Sequence, residues 1–450
     1  MILEMKATPF TCLLVALPLV VLLQTPSMAA DARIEGLILE KGARELVVLD
    51  VESYERRRIP LSSTAKIERK NHKGITFDDL QVGWYIDVNQ ETAQTGQSNA
   101  KLVRVKMDRS RPVMMNSFLE SHPTQDRMVV DGQDIRTKNA RIVRKKYFPG
   151  DLMPGLKARV RGIRLDDGSV EAAEIEVEPN GQGLWEETTL TLCAKHLRKF
   201  NRKPELLKGS DVQKYVETVG TRLIPAAIRD MIEFRFQVVR NPAINAFAFR
   251  SFAWTPGSRR MAKDRIVGTV YLYTGLLKVL QNEAQLAAIL GHEMAHITHE
   301  HSSRGLAKKF RVPGRRSVAL GRRVKRQGKI GAMDSFFEGI KLGMLDFSVI
   351  NGHGKIFEAQ ADRVGLRYLY EGGYAPMEAS RAWDLLTKKG NEQNSVSYFF
   401  YSRHATHLHR KRNLFEEISL NYSDHVNCQS NCKQVVNEEA YTINVLKKLD

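Results

Sequence analysis

Residues 292–296 read His-Glu-Met-Ala-His, and no other stretch restricts this chain so tightly. On a helix that turns about 100° per residue, His292 and His296 lie about 40° apart and Glu293 falls within about 60° of His296, so both imidazoles reach one metal ion. Two nitrogen ligands beside a carboxylate placed to take a proton from water form the donor set of zinc-assisted hydrolysis. With 12 His in 450 residues, a fortuitous H-E-x-x-H is expected in about one such chain in fifty. The rest of the site must therefore be found elsewhere. Catalytic zinc takes a third protein ligand and keeps one position open.

A third His ten residues after His292 is ruled out, because that position is Ser302 and the glycine expected at the turn before it is His299. His299 lies about 4.5 Å further along the helix axis than His296, too far to close a tetrahedron; it and His301 read as surface residues or as partners of the ligands. Glu358 fits better. It sits in Phe357-Glu358-Ala359-Gln360-Ala361-Asp362-Arg363-Val364-Gly365-Leu366, whose apolar residues recur at helical spacing. Glu358 and Asp362 are four apart on one face, so a carboxylate ligand is followed one turn later by an acid able to hydrogen-bond a ligating histidine.

Upstream, residues 32–178 show short β-branched runs punctuated by Gly, Asp and Asn, which read as strands. A repeat runs through them. Asp79-Leu80-Gln81-Val82-Gly83 with Val88 matches Asp151-Leu152-Met153-Pro154-Gly155 with Val160 at a spacing of 72, and Ala65-Lys66-Ile67 echoes Ala140-Arg141-Ile142. Two small β-barrel-like modules are expected, over 32–110 and 126–179, serving either to bind peptides or oligomers or as spacers. A linker near 178–183 leads into a helix-rich region, 184–450. There Ser210 or Asp211 caps a helix, 234–239, 245–249 and 266–273 read as strands, and Asn282 or Glu283 opens the helix carrying His292.

Lys6, the apolar stretch 10–23 and the small residues 27–30 have the layout of a secretory signal peptide over 1–30, with a retained anchor as the alternative. Cys428 and Cys432 read equally as a local disulfide or as two thiols. The net charge of +18 favours anionic surroundings. Much of it comes from the insert 304–329, which holds eleven Lys or Arg and no acid. This insert reads as a solvated loop, a contact for anionic membrane or cell-wall polymer, or a lid. Export and the absence of a basic-aromatic stacking motif argue against nucleic acid.

Taken together, these motifs resemble the zinc metallopeptidase family M48, the group of CAAX prenyl endopeptidases, bacterial heat-shock membrane peptidases and periplasmic quality-control peptidases. The resemblance covers about 212–414. It rests on Asn245-Ala246-Phe247-Ala248, on Val270-Tyr271 with Thr274-Gly275-Leu276-Leu277, on 283–301, on Glu358 to Asp362, and on Gly372-Gly373-Tyr374-Ala375-Pro376. It implies an α+β, zincin-like (gluzincin) domain. It further implies that one Zn2+ per chain is held by His292, His296 and Glu358 and that Glu293 assists peptide-bond hydrolysis. The family's His-Pro with an Arg six residues on is matched by His404 and Arg410, with Ala405 replacing the proline. His404 is expected to help the oxyanion or to occupy the open zinc position at rest. The substrate, a peptide or unfolded protein, is expected along an edge strand through Val270 and Tyr271. These expectations describe an exported, periplasmic or envelope-associated endopeptidase engaged in protein quality control. The competing reading is an envelope binding or chaperone-like factor whose peptidase site is closed.

Overall fold

The computed structural model describes residues 33–301, 355–392, 407–423 and 434–449, apart from 70–72, 93–97, 107–111, 120–122, 125, 131–132, 145–151, 153–155, 166–168, 179–189, 192, 196, 199–200, 203–204 and 259. The expected signal peptide 1–30, the basic insert 304–329, His404, Cys428 and Cys432 lie outside the described residues.

Five strands, β1 (Arg33–Lys41), β2 (Glu45–Asp50), β3 (Arg56–Arg69), β4 (Tyr85–Thr92) and β5 (Ser98–Val105), close into a barrel in the order β1-β2-β3-β5-β4. A second sheet is built from β6 (Pro112–Phe118), β7 (Arg127–Val130), β8 (Gln133–Arg136), β9 (Arg141–Arg144), β10 (Lys157–Arg164) and β11 (Val170–Glu178). Its order is β6-β10-β11-β8-β7, with β9 also pairing β11, and a bridge from Leu119 to Val130 links its two outer strands. The connectivity is the same in both. Lys66 and Ile67 run parallel to Leu102 and Val103 in the first, as Arg141 and Ile142 run parallel to Glu174 and Ile175 in the second. The second unit begins with β6, upstream of the residue-126 boundary read from the sequence, because Pro112–Phe118 supplies the partner for β10.

The two units differ in how they are covered. β11 alternates buried and exposed residues, so only one of its faces is packed. In β1 and β2 consecutive residues are buried, as in strands covered on both sides. The outer cover comes from α6 (His407–Asn421). Phe415 lies 5.9 Å from the Tyr54 ring and 6.1 Å from Tyr85, the Tyr85 N–H donates to Ser419 Oγ at 3.0 Å, and Arg412 pairs with Glu35 at 2.9 Å. The first barrel and the helical region consequently share one hydrophobic core, while the second unit keeps its own.

Beyond the linker a three-stranded sheet forms, with β14 (Met261–Tyr273) between β12 (Ile232–Val239), parallel to it, and β13 (Ala246–Trp254), antiparallel. This corrects one expectation. Val270 and Tyr271 are not on an edge: both are fully buried in the central strand, paired on each side, and cannot hydrogen-bond an incoming peptide backbone. Helix α1 (Asp211–Arg222) packs on β12 and is capped by Ser210, whose side chain accepts the Gln213 N–H. After β14 come α2 (Thr274–Val279), α3 (Glu283–Thr298), α4 (Lys355–Glu371) and α5 (Met377–Glu392). No described helix is long and apolar enough to cross a membrane.

Candidate metal centre

Every residue of α3 is buried, so this helix is set by its surroundings on all sides. Asn282 caps it by accepting the Gln285 N–H at 2.8 Å, and both amide side chains donate to Glu378 of α5 at 2.8 and 3.0 Å. Glu283, in its first turn, accepts from Tyr374 at 2.7 Å, Arg222 at 3.1 Å and Asn437 at 2.9 Å. An acidic residue there also suits the positive end of the helix. Four partners, Arg222 on α1, Tyr374 between α4 and α5, Glu378 on α5 and Asn437 in the C-terminal segment, thus fix the rotation of α3, and with it the direction in which His292 and His296 point.

Helix α4 crosses α3 at two glycines. A Cβ on Gly291 would meet the Gly365 carbonyl oxygen at 2.8 Å, and one on Gly365 would meet the His292 nitrogen at 2.7 Å. Backbone contact at that point leaves side chains within about two turns close enough to share an ion. Glu358 Oε2 lies 3.5 Å from His292 Nε2, Glu358 Oε1 lies 3.7 Å from His296 Nε2, and the two Nε2 atoms are 3.1 Å apart. Ligands on a tetrahedral zinc with bonds near 2.1 Å stand about 3.4 Å apart, so the three donors fit such an ion. Among the described residues this is the one cluster of three or more His, Cys or acidic groups able to hold a metal.

The charges fit as well. Among the described residues, Glu358 and Asp362 are both buried against one guanidinium, Arg410, and a divalent ion held by Glu358 would offset carboxylate charge in the same place. Asp362 Oδ1 accepts from His292 Nδ1 at 3.0 Å, and Arg410 grips the same carboxylate through Nη2 and through Nε at 2.9 Å. The guanidinium carbon lies over Trp383, 3.5 Å from the ring centroid. Burial pushes the Asp362 pKa up, but the Arg410 charge and the His292 hydrogen bond outweigh it and hold this carboxyl below its ordinary range. Burial and Arg410 pull the His292 pKa down, yet hydrogen bonds to Asp362 and Glu358 more than compensate and raise it to about 9. Without a metal, the pocket draws a proton instead.

The structure brings together His292, Glu293, His296, Glu358 and Asp362, all less than 8% exposed. It separates Val270 and Tyr271 from any edge. Three residues in contact with the centre were not assigned from sequence. Arg410 was noted only for its spacing from His404, His301 was left open between surface and partner, and Trp383 sits on an amphipathic helix with nothing to distinguish it from core.

The model of Peptidase family M48 matches residues 210–418. Through this segment the chain is similar to family M48. Members of the family are zinc-dependent metallopeptidases, in keeping with the donor set above. The same region is similar to the beta-barrel assembly-enhancing protease of Escherichia coli K12, 27% identical over 187 residues that cover 40% of this chain and 34% of the relative. The Yersinia pestis protein of that name is 26% identical over 186 residues, with the same coverage. The mitochondrial metalloendopeptidase OMA1 of Schizosaccharomyces pombe is 25% identical over 202 residues, 45% of this chain and 52% of the relative. The chain spans about a third of the length of the bacterial relatives, and the M48 segment excludes both β units.

Proposed function

We propose that this chain is a zinc-dependent endopeptidase of the cell envelope, acting on unfolded or misassembled proteins in quality control. The observation that carries the reading is the convergence of His292 Nε2, His296 Nε2 and Glu358 within 3.1 to 3.7 Å of one another, with Glu293 on the same helix. His292, His296 and Glu358 would hold one zinc ion, which when bound supplies Lewis acidity toward water and the scissile carbonyl. Glu293 accepts the proton of the attacking water and delivers it to the leaving amine. Asp362, fixed by Arg410, holds His292 with its Nδ1 proton turned away from the metal.

An extended substrate would pair with β13. Among the described residues β13 is hydrogen-bonded on one side only, to β14, and it packs beside α3. The envelope location rests on the signal-like N-terminus and on the names of the bacterial relatives, and the basic insert 304–329 would contact anionic membrane or wall polymer. Burial of the whole centre, Glu293 included at 4% exposure, favours a second reading, a binding factor whose peptidase site stays closed. Casein cleavage by the zinc-loaded chain separates the two. Activity in the wild type that is lost in Glu293→Gln with zinc retained supports the peptidase, and an inert wild type with full zinc supports the closed factor.

A further inference from the structure

His301 lies three residues beyond the end of α3, yet it is completely buried. Its ring stacks on Phe357 at 4.7 Å and 14°. Its Nδ1 is 2.9 Å from His296 Nδ1, and its Nε2 is 3.0 Å from Gln360 Oε1. Gln360 stands on α4 between Glu358 and Asp362. An imidazole ligand must present a bare nitrogen to the metal, so its other nitrogen keeps the proton. For His292 that proton goes to Asp362. For His296 the described group at its Nδ1 is the second imidazole, 2.9 Å away.

We propose that His301 is a positioning residue that sets the tautomer of His296, and that Gln360 in turn sets the tautomer of His301. The inference rests on the zinc-peptidase reading above. One arrangement of protons satisfies these contacts and also frees His296 Nε2 for zinc. Gln360 Oε1 accepts the His301 Nε2 proton, which leaves His301 Nδ1 bare. That nitrogen accepts the His296 Nδ1 proton, which leaves His296 Nε2 for zinc. The reverse order, started by the Gln360 amide donating to His301, puts the proton on His296 Nε2 and removes a ligand. The two zinc histidines are thus oriented by different chemistry, a carboxylate backed by Arg410 and an imidazole backed by an amide, and both supports share α4 with Glu358.

The test uses the full chain, zinc-buffered competition for affinity, and nitrogen-15 chemical shifts of the histidine rings in the zinc-loaded Glu293→Gln background. His301→Leu removes the acceptor and is expected to weaken zinc about 10- to 100-fold, whereas His301→Asn, whose Oδ1 can stand where Nδ1 stood, should remain within about fivefold of wild type. Gln360→Leu should weaken zinc and Gln360→Glu should restore it, which decides the matter even if His301→Leu does not fold. The shifts should show His296 protonated at Nδ1 and His301 at Nε2. Equal affinities for the Leu and acceptor-bearing variants, or a proton on His301 Nδ1, would overturn the assignment. Failure of the wild type to take up zinc, or zinc retained by His296→Ala, would instead sink the underlying reading.

Discussion

Arg410 supports the centre from outside the motif. It is the largest fully buried side chain among the described residues, and it pairs with Asp362 and Glu358 while seated over Trp383. Removing one member of a buried ion pair costs about 3 to 5 kcal/mol, because the partner is left charged and unpaired. Arg410→Leu should therefore lower the melting temperature of the metal-free chain sharply and that of the zinc-loaded chain less, since the ion takes over part of the neutralisation; calorimetry with and without a chelator reads both. The titration of His292 gives a second expectation. Its pKa in the folded, metal-free chain is raised to about 9, above its ordinary value near 6.5. The stability from its proton is fully present below the ordinary value and is lost as pH rises through about 9. Zinc needs this ring neutral, so binding expels one proton in that window. Apparent affinity should climb about tenfold per pH unit from pH 6.5 and level off near 9, as competition titrations at several pH values would show.

At the scale of elements, the crossing of α3 and α4 is what turns two short motifs into one site. Gly365→Ala places a methyl 2.7 Å from the His292 nitrogen, and backbone cannot yield there without separating the helices. A loss of about 1 to 3 kcal/mol together with weakened zinc binding is expected; unchanged zinc affinity would show that the crossing is not needed. Much of this was legible. The four-residue spacing of His292 and His296 survives translation into a helix, and so does that of Glu358 and Asp362, because both pairs obey a local periodicity. Their meeting 62 residues apart was legible only through the chemistry, since zinc demands a third ligand. The rank of β14 in its sheet was not read correctly. Ile266 to Tyr273 is an unbroken buried run, the pattern of a strand covered on both faces, but whether it has one neighbour or two depends on partners distant in sequence. Arg410 and Trp383 were illegible for the same reason: nothing local marks a cation as destined for burial.

For the whole molecule, the two β units share one topology and differ in attachment. The first is packed against α6, the helix that carries Arg410 into the metal centre. Lys411, the next residue, lies over the Tyr54 ring at 4.4 Å, bonds the Glu52 carbonyl at 3.1 Å and pairs with Asp384 at 2.8 Å. The second meets the helical region through ion pairs, Lys157 to Glu300 at 2.7 Å and Arg164 to Glu417 at 3.7 Å, and has its own core. Deleting 112–178 should leave a folded chain that still binds zinc, whereas deleting 33–105 exposes Phe415 and loosens α6, so zinc should be lost with the fold. Tyr54→Ala is the milder form of the same experiment, expected to cost about 3 kcal/mol without touching any ligand. The repeat of 72 residues made the shared topology legible; which copy is built into the helical half was not, because it is decided by contacts with α6.

The central claim is that His292, His296 and Glu358 make one zinc site from two helices. Zinc content of the purified full chain, measured by mass spectrometry for the wild type, Glu293→Gln and Glu358→Ala, tests it most directly. The expected result is one zinc per chain in the wild type and in Glu293→Gln, and loss of zinc in Glu358→Ala after dialysis against a weak chelator. Zinc retained by Glu358→Ala at wild-type stoichiometry would contradict the site.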